Sequence, residues 1–204
     1  FKDQNEIDNS PTQTFSTVKP GDIKYEDVNG DKTIDANDKT AIGYSTVAPQ
    51  LYYSIHLGAE WRGLGIDAMF QGVGRYSAVL NTKSMYWPLI NNTTISQYYY
   101  DNRWTADNQN AKFPRLSNEN NANNYQTSTL WLVNRSFFKL RNIELYYNLP
   151  KSILEKTGFV NGAKVYVRGT DLFSLDHMDV SDPESYGATN PLTRSIVAGL
   201  SVTF

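Results

Sequence analysis

Cysteine is absent from the 204 residues, which removes disulfide frameworks, thiolate zinc sites and cysteine nucleophiles together. Histidine is nearly absent. His56 and His177 lie far apart and outside any His-Glu-x-x-His spacing, so both read as structural or surface side chains. An excess of either charge is also missing: the net charge is -2, and Lys and Arg are scattered instead of forming the basic stripe that nucleic acid needs. No run approaches the roughly 18 apolar residues of a membrane-spanning helix. A membrane barrel stays open, because its strands alternate apolar and polar and average to a modest hydropathy. Phe1 is followed by neither a basic n-region nor an apolar h-region, so the chain is expected to start inside a longer protein.

What the chain does have is strict alternation. In LYYSIHLGAEW, Leu51, Tyr53, Ile55, Leu57, Ala59 and Trp61 fall on one face, with Tyr52, Ser54, His56, Gly58 and Glu60 on the other. Its length is what a tilted strand needs to cross a bilayer. A tight turn at Arg62 and Gly63 leads into a second run, Leu64 to Gln71, in which Leu64, Ile66, Ala68 and Phe70 alternate with polar or small residues. Further strands are expected over Phe137–Leu149, ended by Pro150, over Ala163–Thr170, and over Ser195–Phe204. One helical turn is expected at Lys151–Thr157. The connections alternate short, very long, short, long. Outer-membrane barrels have short periplasmic turns and long extracellular loops, so this pattern assigns sides and places Phe204 at the periplasmic end.

One segment carries metal-like chemistry. In DVNGDKTIDAND the six positions of a twelve-residue calcium loop are filled by Asp27, Asn29, Asp31, the Thr33 carbonyl, Asp35 and Asp38. Hard oxygen donors of this kind suit Ca²⁺, here in a structural role. Ile34 at the eighth position should pack inward. Lys32 stands where such loops carry Gly, and Asp38 is shorter than the usual bidentate Glu.

Seven segments, in order, resemble the C-terminal region of SusC/RagA-like TonB-linked outer-membrane proteins. They are PGDIKYEDVNGDKTIDANDKTAIG (Pro20 to Gly43), FQG (Phe70 to Gly72), FPRLS (Phe113 to Ser117), LWLVNRSFFKLRNIELYYNLP (Leu130 to Pro150), VYVRGTDLFSL (Val165 to Leu175), DPES (Asp182 to Ser185) and the terminal GLSVTF. The resemblance implies an all-β fold: an antiparallel transmembrane β-barrel segment of about five C-terminal strands with long extracellular loops, part of a barrel of roughly 22 strands. Residues 1–19 would be an incomplete extracellular loop, 20–46 an extracellular loop with the calcium-like motif, and 47–204 barrel strands and loops. The resemblance further implies an outer-membrane importer of oligosaccharides or peptides that works with a SusD-like lipoprotein and is driven by the TonB complex. The last strand, with Leu200, Val202 and Phe204, matches the pattern read by the barrel-insertion machinery.

Leu51, Tyr53, Ile55, Leu57, Leu64, Ile66, Phe70, Leu145, Val165, Val167, Ile196, Leu200 and Val202 would then face outer-membrane lipid. Trp87, Trp104 and the lumen-facing Glu144 and Arg168 are the candidates for cargo contact. No acid, nucleophile or triad has recognisable context, so an enzyme is not expected. The competing reading is a soluble calcium-stabilised β-sandwich that binds carbohydrate, with Trp87, Trp104, Tyr98 to Tyr100 and Trp131 as stacking platforms.

Overall fold

The computed structural model describes residues 1–80, 94–119, 121–179, 181–185, 190 and 192–204. Short strands β1 (Thr12–Gln13) and β2 (Thr33–Ile34) pair in parallel, and β5 (Ser77–Val79) pairs with β6 (Leu132–Asn134). The main element is a five-stranded antiparallel sheet of β3 (Leu51–Trp61), β4 (Leu64–Gly74), β7 (Phe137–Asn148), β8 (Gly162–Asp176) and β9 (Ser195–Thr203), in the order β3-β4-β7-β8-β9. No helix among the described residues is long and apolar enough to cross a membrane. The chain forms two compact units: Phe1–Gly43 with Ala78–Val133, and Tyr44–Ser77 with Asn134–Phe204. Residues 1–43, which include the acidic loop, thus share a unit with 78–133.

The β3–β4 connection is the expected two-residue turn. Arg62 and Gly63 have φ of 52° and 88°, the left-handed pair whose twist matches that of the flanking strands. Gly63 is required there for space too: a Cβ would stand 2.7 Å from the Asn148 carbonyl oxygen. Between β7 and β8, Lys151–Leu154 is α-helical and Glu155–Thr157 continues as a 3-10 turn, as expected.

Register carries the sequence alternation across the whole sheet. Ala59 pairs with Ile66, Ile66 with Leu145, Leu145 with Val167 and Val167 with Ala198. One step along, Trp61, Leu64, Tyr147, Val165 and Leu200 form a second apolar row. Between them run Glu60, Gly65, Tyr146, Tyr166 and Gly199, and the next row beyond Ile66 and Leu145 runs through Asp67, Glu144 and Arg168. The apolar rows lie open: Leu57 is 57 % exposed, Leu200 63 % and Ile196 72 %. Burying such a side chain is worth about 1.5–3 kcal/mol, so a face of this size left in water would be strongly unfavourable and calls for an apolar solvent. No second sheet covers it among the described residues, unlike the core face of a sandwich.

Three strand features depart from the sequence expectation. β4 runs on to Gly74, β7 stops at Asn148 just before Leu149, and β8 spans Gly162–Asp176, well past the expected end at Thr170. The third run also contains a bulge. Pairing jumps from Leu140 to Asn142 on both sides of β7, leaving Arg141 unpaired. Strict period two would place Lys139 and Arg141 on the same face as Ile143 and Leu145. The extra residue reverses the alternation, so Phe138 and Leu140 join the apolar face and Lys139 pairs between Gln71 and Ser174 on the polar one. Asp171 opposite the bulge takes φ 51°.

The other unit has its own aromatic core. Tyr99, Phe113, Tyr125 and Trp131 are buried together, with the Tyr99 and Phe113 rings stacked at 4.6 Å and Trp131 donating its indole N–H to the Asn124 carbonyl at 2.7 Å. Burial pushes the Tyr99 and Tyr125 hydroxyls well above the usual phenol range.

Candidate functional site: the polar face of the sheet

The polar rows of the sheet converge on a concavity of about 590 Å³ lined by residues of β3, β4, β7 and β8, among them His56, Asp67, Glu144, Tyr146, Lys164 and Arg168. Each is placed by register. Asp67, Glu144 and Arg168 are successive partners across β4, β7 and β8. Glu144 accepts from Lys164 Nζ at 2.8 Å and from Arg168 Nε at 2.8 Å. His56 Nε2 lies 2.8 Å from Asp67 Oδ1, and Tyr146 donates to Glu60 at 3.0 Å. The Tyr146 ring lies across Gly65, where any Cβ would fall about 2.1 Å from it, and Tyr166 lies likewise across Gly199.

Glu144 and Arg168, the two lumen candidates from the sequence, are thus in direct contact. Lys164, His56 and Asp67 were not singled out, although Lys164 and Arg168 stand on one face of their strand by alternation alone. The array presents both signs of charge within hydrogen-bonding reach of one cavity. Glu144 is mostly covered, with 12 % of its side chain exposed, whereas half of the Arg168 side chain is open. The open cation is the more available group for an incoming anion.

Trp104 belongs to the other unit. Its ring packs on Gly21 (φ 90°), where a Cβ would lie 2.4 Å from the indole, and it borders a separate cavity of about 500 Å³ with Tyr25, Lys112 and Phe113. Trp87 lies outside the described residues.

In the acidic loop the oxygens turn to backbone N–H groups. Asp27 accepts from Gly30 at 2.7 Å and Lys32 at 2.8 Å, Asn29 from Asp31 at 2.9 Å, Asp31 from Thr33 at 2.8 Å, and Asp35 from Asn37 at 2.7 Å. The N–H groups of Asp35, Val28 and Asn29 hold the Asp38 carboxyl below the usual carboxylate range against a smaller upward push from burial. Ile34 is buried, 2 % exposed, as its place in the motif implies. Lys32 adopts φ 66°, the left-handed conformation that a Gly supplies at the sixth position of a calcium loop. Among the described residues no three acidic or imidazole groups converge on a metal position. Lys32 thus takes the backbone conformation of the loop pattern, and the carboxylates accept N–H groups of their own loop.

No family model matches the sequence. The chain is 27 % identical over its full length to TonB-dependent receptor P26 of Formosa agariphila, and 26 % identical over 92 % of its length to TonB-dependent receptor P39 of the same organism. Among solved structures it is similar to the RagAB peptide transporter, with 28 % identity over 85 % of the chain and a TM-score of 0.66. A structure of the RagAB peptide importer in the closed-closed state matches with 27 % identity and a TM-score of 0.65. The chain is thus similar, over its whole length, to part of a TonB-dependent receptor and, over 85 % of it, to part of a RagAB-type transporter. It spans about a fifth of the length of the curated receptors it matches, 21 % of P26 and 19 % of P39, and 19 % of the matched transporter chain.

Aromatic side chains gather at one end of the sheet. Trp61 and Arg62 sit at the tight turn, the guanidinium 4.7 Å from the indole centroid. Phe204 stacks on Phe159 with ring centroids 6.0 Å apart and planes 6° from parallel. Leu200 and Val202 pair with Val165 and Ala163, leaving the rings and aliphatic side chains at one end of the sheet. Exposed aromatics at that level suit a membrane interface.

Proposed function

We propose that this segment supplies the C-terminal strands of a TonB-dependent outer-membrane importer, with its apolar rows against lipid and its polar array facing the lumen. The observation that carries the reading is the register: five strands align apolar side chains in rows on one face and a mixed-charge ladder on the other. A SusD-like surface lipoprotein and the TonB complex are the partners in this reading, and an energised import step is its activity. The similarity to a peptide transporter supports the choice.

Peptide is the cargo class this geometry favours, because Glu144, Asp67, Lys164 and Arg168 offer both charges that a zwitterionic chain carries. Oligosaccharide is the second reading, supported by the tyrosine rings lying flat across Gly65 and Gly199. The acidic loop belongs to the same proposal as a structural Ca²⁺ loop on the outer side, with Asp27, Asn29, Asp31, Thr33, Asp35 and Asp38 as its ligands. Its support is the donor set and the left-handed Lys32.

Uptake by cells expressing the full-length receptor tests the proposal. Labelled peptides should accumulate in a receptor- and TonB-dependent manner, and Arg168→Ala should reduce that accumulation. Accumulation of oligosaccharide alone would select the second reading, and accumulation of neither would reject import.

A further inference from the structure

The DPES segment has no part in the polar array described above, yet it is among the most heavily anchored pieces of the sheet unit. Lys139 donates to both carboxylate oxygens of Asp182 at 3.0 Å and lies 2.8 Å from Glu184 Oε2. Arg141 pairs with Glu184, and also donates to Asp171 at 2.9 Å and to Gln71 at 2.7 Å. Arg135 holds the Pro183 carbonyl at 2.6 Å and the Tyr76 hydroxyl at 2.6 Å. Four contacts from three basic side chains therefore converge on three consecutive residues, 182–184.

The face on which this happens is fixed by the bulge. Lys139 stands in the row Ser54, Gln71, Lys139 and Ser174, the same side of the sheet as His56 and Asn142. Burial agrees. Pro183 is fully buried, and beneath it Val73, Phe137 and Lys139 are 4 %, 6 % and 2 % exposed. On the same face but away from the segment, the Lys164 and Arg168 side chains are 34 % and 50 % exposed. The opposite face at the same height is open, with Phe173 at 47 % and Leu175 at 56 %.

We infer that residues 182–185 are an inward-folded strap, tied to the β7 bulge, that narrows the lumen on the sheet's polar face and so limits which solutes pass. This rests on the importer reading, since only in a barrel is the polar face a path. The bulge makes the strap possible: without it Lys139 and Arg141 would point to the apolar side and could not meet Asp182 and Glu184.

The test uses the full-length receptor in outer-membrane vesicles with a water-soluble amine-reactive reagent, reading modification of Lys139 by peptide mass. Lys139 should be protected in the unaltered receptor and become modified about tenfold faster in the Asp182→Asn/Glu184→Gln variant, in the manner of a locally opened segment. The same variant in planar bilayers should show raised conductance. Ready modification of Lys139 in the unaltered receptor overturns the strap whether or not the variant assembles, and unchanged conductance in an assembled variant overturns the narrowing. Lys139 labelling requires only a folded receptor, so it stands apart from any failure of cargo uptake.

Discussion

Asp22 and Arg115, 93 residues apart, meet as a buried ion pair with Arg115 Nε 2.8 Å from Asp22 Oδ1. Asp22 is sealed from solvent and also accepts from the side-chain amides of Asn121 and Asn124, at 2.9 and 2.8 Å, and from the Lys19 N–H at 2.8 Å. The PGD and FPRLS segments, which resemble family motifs without any visible chemistry, thereby become two halves of one structural junction. Removing one member of such a pair leaves an uncompensated charge and typically costs about 3–5 kcal/mol. Asp22→Ala is expected to loosen residues 14–25 and 113–125 together, seen as lost hydrogen-exchange protection in both. Loosening of one segment alone would mean that the junction is not cooperative.

Acid should release the strap. Burial pushes the Asp182 carboxyl up, but the Glu184 N–H and the Lys139 ammonium outweigh it and hold it below the usual carboxylate range; Glu184, also pushed up by burial, is held below that range by the Arg141 and Lys139 cations. Both are depressed in the folded state, so their contribution is present above the unfolded values and is lost as pH falls through the folded ones. The groups facing them are Lys139, Arg141 and Arg135, with Asp171 on β8 the remaining carboxylate in the network. Hydrogen exchange at residues 182–185 should be insensitive to pH from neutrality to about pH 5, and should accelerate beyond the intrinsic trend only below it. Early opening near pH 6 would assign control to another group.

Depth in the membrane is tested at Leu57, which pairs with Ala68 in an apolar row. Leu57→Arg should destabilise the intact barrel by about 2–4 kcal/mol if the residue lies near mid-membrane. Ser54→Arg, on the polar face, should cost far less. Urea unfolding in lipid vesicles distinguishes them. Equal costs would contradict the assignment of faces.

Much of this sheet is visible in the sequence because a sheet with one apolar and one polar face imposes a period of two on its strands. Leu51 to Trp61 matches its expected bounds, and the last run, expected to reach Phe204, ends as a strand at Thr203. The run through FFKLRN was harder, since two cations share parity with Ile143 and Leu145. That conflict was itself the signal of a bulge, because a charge facing lipid is expensive and one extra residue removes the problem. The Glu144–Arg168 contact could be anticipated from alternation only as a shared face. Its pairing needed the register, which depends on turn geometry and on the position of Arg141. The Asp22–Arg115 junction and the strap were beyond reach, because both join segments distant in sequence through irregular chain with no period to read.

Calcium is tested on the loop itself. Lys32 holds φ 66°, a conformation that costs a non-glycine residue about 1–2 kcal/mol. Lys32→Gly should therefore stabilise the loop by about 1 kcal/mol and tighten Ca²⁺ binding, whereas Asp27→Ala should abolish binding. Ca²⁺ titration of the full-length receptor, followed by hydrogen exchange over residues 27–38, reads both. Protection that ignores Ca²⁺ and chelator alike would leave the loop as a self-satisfied acidic turn.

The terminal aromatic offers the last test. Phe204 rests on Phe159, and the adjoining backbone is closed by the Asn161 N–H donating to the Thr203 carbonyl at 2.8 Å. If Phe204 acts as an assembly signal, its deletion should slow appearance of the heat-resistant barrel while leaving total expression intact. Phe159→Ala separates that role from simple packing, since it removes the ring partner and leaves the signal residue in place. An offset ring pair contributes about 0.5–1.5 kcal/mol, so this variant should assemble at the normal rate and unfold slightly more easily. Equal slowing in both variants would show that the stack matters to assembly, and normal assembly without Phe204 would remove the residue from the signal altogether.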